Sequence, residues 1–415
     1  MPFRRGVPAP GRVSAAGLLS DRPGFRNLWL ALTLSYTGSG AALTALILYA
    51  QRSQGTGLAV AGILVAITVP RLLGPIAGTI ADRTDLRRLM IGCDLGQTAL
   101  YAVLALLPPF GAIVALAATA TLLTTVYAPA RTALLPALVE RRELLSANSL
   151  IGTAFNMQIA AGPLLGGLLF AAGGASLALW VNAATFAVSA ALTSRVPRVP
   201  RTEGEPQAAP SGVLGSTREG FAYAMENPLT RIVILTLLFG LIFLAMDNVA
   251  LVFLVRGTLE GGAVAFGFAS AAFGVGMVVG ALTLFGQRRF SPVSLYLGGL
   301  AMTGVGTLLT GVAPAIGFVV PFQGLAGAGN GIDNVANETL LQQRVPRPML
   351  GRVFGLTNTA ANAGAGIAAV LAGVLLDLTS PRTVLVTAGV GGLVVTLVAV
   401  RSLARTRGRD TSPGG

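Results

Sequence analysis

Long apolar stretches follow one another along almost the whole chain and are separated by short polar segments. A helix needs ~20 predominantly apolar residues to cross a bilayer, and each stretch is near that length. The pattern predicts twelve membrane spans, numbered one to twelve, over residues 27–50, 58–81, 89–107, 111–134, 148–171, 175–194, 230–254, 263–286, 293–312, 314–340, 352–376 and 381–403. Very little of the chain remains for a water-soluble domain.

The two halves of this pattern resemble each other in sequence. At an offset of 206 residues, ALLPALVERRELLSANSL aligns with TLLQQRVPRPMLGRVFGL, which places Leu134 opposite Leu340 and Val139 opposite Val345. Residues 195–212 are rich in Pro, Gly and charge, as is typical of a linker. The predicted parts are an N-terminal tail (1–26), a six-helix bundle (27–194), a cytoplasmic linker (195–229), a second six-helix bundle (230–403) and a C-terminal tail (404–415).

Charge is scarce and unevenly distributed. Charged residues make up 11% of the chain and hydrophobic residues 53%, whereas about 25% of an ordinary soluble domain is charged. All 29 basic residues are Arg; 24 fall on the side of the termini and linker, three in opposite loops (Arg52, Arg256, Arg382) and two within spans (Arg71, Arg131). The positive-inside rule then predicts a multi-pass protein of the cell inner (plasma) membrane with both termini cytoplasmic. Because this topology accounts for the net charge of +13, no nucleic-acid partner is expected.

Residue types that are missing narrow the chemistry. The chain has no His, no Lys and one Cys, Cys93. A nucleotide-binding P-loop and a Schiff base both need Lys, whereas a Ser-His-Asp triad and a His-bearing zinc site need His. We therefore expect no metal and no cofactor, and no catalytic residues of the Lys- or His-dependent kinds. Two classes stay open, a carrier driven by an ion gradient and a polytopic membrane enzyme that uses carboxylates on lipid.

The connection between spans two and three changes abruptly from apolar to charged in GPIAGTIADRTDLRRLM. Gly74 and Gly78 would let span two approach a neighbouring helix closely, and the charges begin where the helix leaves lipid. With the six-plus-six duplication, the stretch resembles the loop signature of the major facilitator superfamily. Asp85 and Leu86 depart from that signature. The matching positions are Gly78, Asp82, Arg83, Arg87 and Arg88.

This resemblance implies an all-α membrane fold of twelve helices in two pseudo-symmetric six-helix bundles. It also implies that the loop braces the inner ends of the two bundles against each other while the cytoplasmic side is closed. Obedience to the positive-inside rule alone is the simpler explanation of these charges.

Span five carries a second signature, AGPLLGGLLF, which resembles the antiporter motif of the same superfamily. The matching residues are Gly162, Pro163, Gly166 and Gly167, whereas Gln158 stands where the motif begins with Gly. Exporters carry this motif far more often than importers, although a proline kink with small residues for helix contact would have the same sequence.

Further segments, among them LWLALTLSYTGSG and YAPARTALLPALV, resemble the drug-efflux branch that contains macrolide and siderophore exporters. The resemblance implies a monomeric, proton-coupled antiporter that exports an amphipathic small organic molecule. A metabolite importer, a lysophospholipid carrier of the same fold and a lipid-modifying membrane enzyme are the alternatives.

Ionisable groups at membrane depth are candidates for coupling and gating. Asp247 in span seven and Asp333 in span ten are the proton-coupling candidates. Arg131 in span four and Glu338 in span ten could form a separable ion pair at the cytoplasmic mouth, or each could pair within its own half. We expect Asp94 in span three to be mainly structural.

Polar side chains on otherwise apolar helices are candidates for lining a substrate cavity. They are Tyr36, Ser39, Arg71, Thr121, Thr125, Asn156, Gln158, Asn330 and Asn334. Each could instead bond a neighbouring helix, but together they indicate a mostly apolar pocket with scattered hydrogen-bonding groups.

Overall fold

The computed structural model describes residues 15–198, 221–223, 225–284 and 290–410, and this part of the chain contains helices and no strands. A short helix, Ala15–Asp21, precedes the first bundle. The helices of that bundle are Pro23–Gln54 (span one), Gly57–Thr68 and Gly74–Arg83 (span two), Leu86–Ala105 (span three), Phe110–Leu134 (span four), Leu144–Ala160 (span five) and Gly162–Thr193 (the end of span five, and span six).

The second bundle repeats this arrangement. Its helices are Pro228–Leu244 and Asp247–Phe253 (span seven), Ala263–Thr283 (span eight), Pro292–Val312 (span nine), Ile316–Arg344 (span ten), Arg347–Leu378 (span eleven) and Pro381–Asp410 (span twelve). Every predicted span thus coincides with helical structure.

Among the described residues, eight helices are long and apolar enough to cross a membrane by length and composition. The remaining predicted spans contain local breaks or polar groups. Pro70 and Pro75 interrupt span two, which continues through a 3-10 turn, because proline lacks the N–H of the helix ladder. Gly174, at φ 70°, separates spans five and six. Spans three and ten carry acidic and amide side chains in their apolar stretches.

Several helix ends differ from the predicted domain boundaries. The first bundle begins at Pro23 and the second at Pro228, a few residues before positions 27 and 230, because proline is well suited to the first helical position. The last helix continues to Asp410, beyond position 403. Most of the linker (199–220) lies outside the described residues.

The internal repeat is visible in the cores of the two bundles. Leu134 and Leu340 are both buried, as are Val139 and Val345, and each pair lies in the apolar core of its own bundle. Equivalent positions therefore perform equivalent packing, which supports the offset of 206 residues found in the sequence.

Because the spans alternate in direction, their ends define two faces. We call the side with the loops at 84–85, 135–143 and 195–198 the linker face, and the side with the loops at 55–56, 106–109 and 313–315 the far face. On the linker face, Arg22 forms ion pairs with Glu140 and Glu143, the latter at 3.1 Å. These bonds fasten the start of span one to the connection between spans four and five.

Candidate functional site

The glycines of the antiporter-type motif lie at close contacts of span five, two of them within the first bundle and one between the bundles. A Cβ on Gly162 would stand 2.7 Å from the Cα of Gly40 in span one, and one on Gly167 would stand 3.2 Å from the Cα of Gly267 in span eight. Gly166 faces span one in the same way, 2.7 Å from Thr44. Pro163 contributes its backbone oxygen to the contact with Gly267. The motif therefore joins span five to span one within the bundle and to span eight across it.

Spans two and eleven meet at the far face and separate toward the linker face. At the far end, a Cβ on Gly57 would stand 2.6 Å from the Gly373 backbone oxygen. Midway, Thr68 is the nearest neighbour of Gly366, at 4.0 Å, and no described residue of another element lies within 4 Å of a Cβ on Gly74 or Gly78. The two bundles are thus closed at the far face and parted along span two at the linker face.

Within the part of the chain that the structure describes, three hydrogen bonds join the bundles at the closed end. Asp377 of span eleven accepts from the backbone N–H groups of Gly57 (2.5 Å) and Leu58 (3.2 Å), which are donors that the start of span two leaves free. Arg256 donates to Gln51 at 2.9 Å.

A central cavity of about 380 Å³ lies between the bundles. Asp247, at the break in span seven, lines it together with Gln323 of span ten, whose amide Nε2 donates to Asp247 Oδ1 at 2.9 Å. The buried Gln323 Oε1 has no hydrogen-bond partner among the described residues. The other polar lining residues are Thr44, Gln158, Asn248, Ser270, Thr303, Thr307 and Asn330.

A second cavity, of about 390 Å³, lies within the first bundle, and we call it the first-bundle cavity. The predicted residues Tyr36, Ser39, Arg71, Thr121, Thr125 and Gln158 all line it. Leu43 and Gln158 line both cavities, so the two are adjacent.

Other predicted residues lie outside the two cavities. Asp333 is buried where span ten packs on Gly299 of span nine, and does not line the central cavity. Asn334 donates to Asn330 at 3.0 Å on the same helix and is exposed. Asn156 lines neither cavity. Whether these residues line a cavity depends on the helix face that they occupy and not only on their depth along the helix.

The proposed inner ion pair is not formed in this arrangement. Arg131 donates to the Tyr36 hydroxyl at 2.8 Å, and the exposed Glu338 forms no ion pair among the described residues. Since the bundles are parted at the linker face, the pair stays a prediction for the closed arrangement.

In the loop signature, Asp85 accepts from the Arg88 backbone N–H at 2.9 Å and caps span three, so the departure from Gly supplies a helix N-cap. Arg87 donates to the Ser194 backbone oxygen at the end of span six. Arg83 and Arg88 are exposed, and the Asp82 side chain lies outside the described part of the chain.

Asp94 is buried and accepts from Ser189 at 2.8 Å. It lines a small void of about 20 Å³ with Tyr127 and Gln97, where Gln97 accepts from Thr124 at 3.1 Å. These bonds connect spans three, four and six, as expected for a structural residue.

Two polar residues at these contacts, Gln323 and Asp377, were not predicted from the sequence. Gln323 stands seven positions before Asn330 on span ten, a spacing that places both on one helix face and could have identified it. Asp377 lies at the end of an apolar run, where an acid is unremarkable in sequence.

Residues 18–413 match the family described as transmembrane secretion effector. The chain belongs to this family. A secretion effector of this kind is a multi-pass membrane transporter of the major facilitator type, which excludes the membrane-enzyme alternative.

Named relatives of this secretion effector include several exporters. It is 28% identical over 410 residues to the enterobactin exporter EntS of Escherichia coli, covering 95% of this chain and 96% of the relative. It is 22% identical to macrolide efflux protein A of Streptococcus pyogenes, over 85% and 89% of the two chains. It is 26% identical to the uncharacterised MFS-type transporter YfiS of Bacillus subtilis, over 86% and 90%.

Solved structures confirm the fold of this family member. The nucleoside transporter NupG superposes with a TM-score of 0.76 at 13% identity, covering 92% of this chain and 99% of that one. A bacterial homologue of the human lysosomal transporter Spinster, in an inward-facing and unoccupied conformation, gives 0.69 at 15% identity, covering 92% and 98%.

Proposed function

We propose that this secretion effector is a proton-coupled antiporter that exports an amphipathic small organic molecule by alternating access. The exporter names among its relatives favour efflux. The central cavity lies between two bundles that meet at one face and part at the other, as alternating access requires. Drug-sized ligands occupy mostly apolar pockets of ~300–1,000 Å³ with a few polar groups, and both cavities fit that description.

The pairing of Asp247 with Gln323 carries the proposal. A carboxylate needs hydrogen-bond donors, whereas a protonated carboxyl group donates a hydrogen bond itself. The Gln323 amide can serve both states, because its nitrogen donates to the carboxylate and, after rotation, its free oxygen can accept from the acid. Asp247 can therefore gain and lose a proton beside the substrate and keep a hydrogen bond to Gln323 in both states.

We expect Asp247→Asn to abolish gradient-driven accumulation while leaving substrate binding, because the amide keeps the shape but cannot titrate. The measurement is accumulation of a fluorescent efflux substrate in inverted vesicles with an imposed proton gradient. Asp333→Asn, at a buried acid outside the central cavity, is the matched control. Accumulation by the Asp247 variant at the parental rate would remove Asp247 from the mechanism and make Asp333 the candidate.

The same vesicles distinguish the transport alternatives. An exporter accumulates substrate in inverted vesicles, whereas an importer releases it. A lysophospholipid carrier would be stimulated by lysophospholipid rather than by the drug-like compound. We also propose that the chain acts as a monomer, since one chain forms both cavities.

For export in this sense, the linker face is cytoplasmic, as the arginine distribution indicates. In a Cys93→Ser background, a membrane-impermeant thiol reagent on intact cells should label a cysteine introduced at Ser53 but not one at Gln207 or Ser412. Gln207 and Ser412 lie outside the described residues, so this test rests on sequence position. The reverse labelling pattern would invert the topology.

In the closed arrangement, we propose that the loop from Gly78 to Arg88 and the pair of Arg131 and Glu338 hold the linker face together. The space beside Gly78 supports this assignment, because a neighbouring helix can pack there when the two bundles rock together.

A further inference from the structure

Arg71 is a charged side chain at membrane depth without a protein partner. It lies in the 3-10 turn in the middle of span two and lines the first-bundle cavity. At ~1.5 Å per residue it is roughly 20 Å from either end of the span, too far for its side chain to reach the membrane surface. Among the described residues it forms no ion pair and no hydrogen bond.

Three other arginines, one within a span and two at the far-face ends of spans, have their acceptors in the protein. Arg131 bonds Tyr36, Arg256 bonds Gln51, and Arg382 bonds the backbone oxygens of Gly311 and Ala313. An arginine in the middle of a membrane span is costly and is usually paired. Arg71, by contrast, lies in the middle of a span and has no such acceptor among the described residues.

The surroundings of Arg71 suit an anion. Among the described residues, no acidic side chain lines the first-bundle cavity, and apart from Arg71 its polar lining consists of hydroxyls and the amide of Gln158. Tyr101, which stacks on Phe186 with ring centroids 5.5 Å apart, provides an aromatic wall beside the arginine. Guanidinium presents a planar fork that matches carboxylate, sulfonate and phosphate groups in two-point contact.

We infer that the first-bundle cavity binds an anionic group of the transported molecule, a carboxylate, sulfonate or phosphate, through Arg71. The apolar remainder of the molecule extends past Leu43 and Gln158 into the central cavity. That the bound molecule is the transported one rests on the proposed function. The anion-binding site itself does not depend on export, on proton coupling or on Asp247.

A matched pair of fluorescent probes tests the charge preference. Anilinonaphthalene sulfonate and phenylnaphthylamine share one ring system, and only the first carries an anion. The full chain, in nanodiscs of phosphatidylcholine, is titrated with each probe, and the signal of empty nanodiscs is subtracted. We expect the parent protein to bind the sulfonate with a Kd about tenfold or more below that of the neutral probe, the factor typical of one charge-assisted pair.

Arg71→Gln should equalise the two affinities, because it weakens binding of the sulfonate probe only. Unchanged binding of the neutral probe shows that the variant is folded. Arg71→Lys should retain part of the preference, because it keeps the charge without the fork. Arg401→Gln removes an exposed arginine far from the cavity and should leave the preference intact. Equal affinities in the parent, or a full preference in Arg71→Gln, would overturn the inference.

Competition identifies the source of the anionic group. Displacement of the sulfonate probe by lysophosphatidylglycerol, but not by lysophosphatidylcholine, assigns the site to a lipid headgroup. Without that displacement, the site is assigned to a free organic anion. Either result supports an anion-binding site at Arg71. Since no gradient is applied, the anion preference should persist in Asp247→Asn, so a failure here is distinct from a failure of proton coupling.

Discussion

Spans two and eight occupy equivalent places in the two bundles and carry similar glycines, but those glycines face different surroundings. Gly276 and Gly280 of span eight are pressed against the backbone of span ten, within their own bundle. Gly74 and Gly78 of span two face open space. One pair is thus used to build a bundle, whereas the other has no close neighbour among the described residues, as our proposal for closure of the linker face requires. Duplicated sequence has kept the small residues and divided their tasks.

The largest effect is expected from a bulky residue at these glycines. Gly280→Val would force a side chain into the Ala328 backbone oxygen, and overpacking of this kind costs about 1–3 kcal/mol or more. We expect little folded protein, measured by size-exclusion chromatography after purification. Gly78→Val should fold normally but lose transport in the inverted-vesicle assay, because its side chain would obstruct closure.

Gly78→Ala is the matched control, since a methyl group obstructs closure less and should spare most of the transport. If Gly78→Val transports as well as the parent, span two does not close against a neighbour. If Gly280→Val folds normally, the two glycine pairs do not differ in the way described.

A smaller effect is expected at the loop signature. Asp82→Asn removes one charge from the cluster that we propose to hold the linker face closed, and a change of 1.4 kcal/mol shifts a two-state ratio about tenfold. Transport should fall by roughly that factor, while probe binding in nanodiscs stays unchanged. Transport at the parental rate, at equal expression, would dismiss the gating role.

The smallest effect is expected away from the moving surfaces, at Glu143. The Glu140 backbone N–H, followed by Arg22, lowers the pKa of Glu143 from its ordinary value of 4.5. A carboxyl group whose pKa is lowered by folding stabilises the protein above its ordinary pKa and loses that contribution as the pH falls through the lowered value.

Glu143→Gln, which keeps the capping geometry, should therefore have a lower thermal unfolding midpoint than the parent near pH 7. The difference should shrink as the pH falls below 4.5. Glu226→Gln, at an exposed acid, should show no such difference. An identical offset at every pH would assign the effect to packing instead of charge.

The helices and their pairing into two bundles could be predicted from the sequence because apolar length and internal repetition are local and periodic signals. The Pro23 and Pro228 starts differ by only a few residues from the expected boundaries. Depth along a span was also predictable, which is why Arg71, Tyr36 and Gln158 were found at the first-bundle cavity.

The side of a helix on which a residue lies was harder to predict, because mean hydropathy does not indicate which helix face lines a cavity. Asn156 and Asn334 were therefore expected to line a cavity and lie elsewhere. Gln323 was missed because an amide gives a weaker signal than an acid, although it donates a hydrogen bond to Asp247 in the central cavity. The absence of the Arg131 and Glu338 contact reflects conformation, which no single sequence specifies.

The carboxylate of Asp377 has a consequence for the cost of motion. It joins the two bundles at the far face by accepting from the backbone N–H groups of the buried Gly57 and the exposed Leu58, at the start of span two. When that face opens, water can replace the carboxylate at both donors, and the carboxylate is itself hydrated, so the number of hydrogen bonds is nearly conserved. A lock made this way fixes the alignment of the two bundles while contributing little to the free-energy difference between them. A transporter that opens and closes repeatedly can therefore align its two bundles through these bonds without a large free-energy cost at each opening.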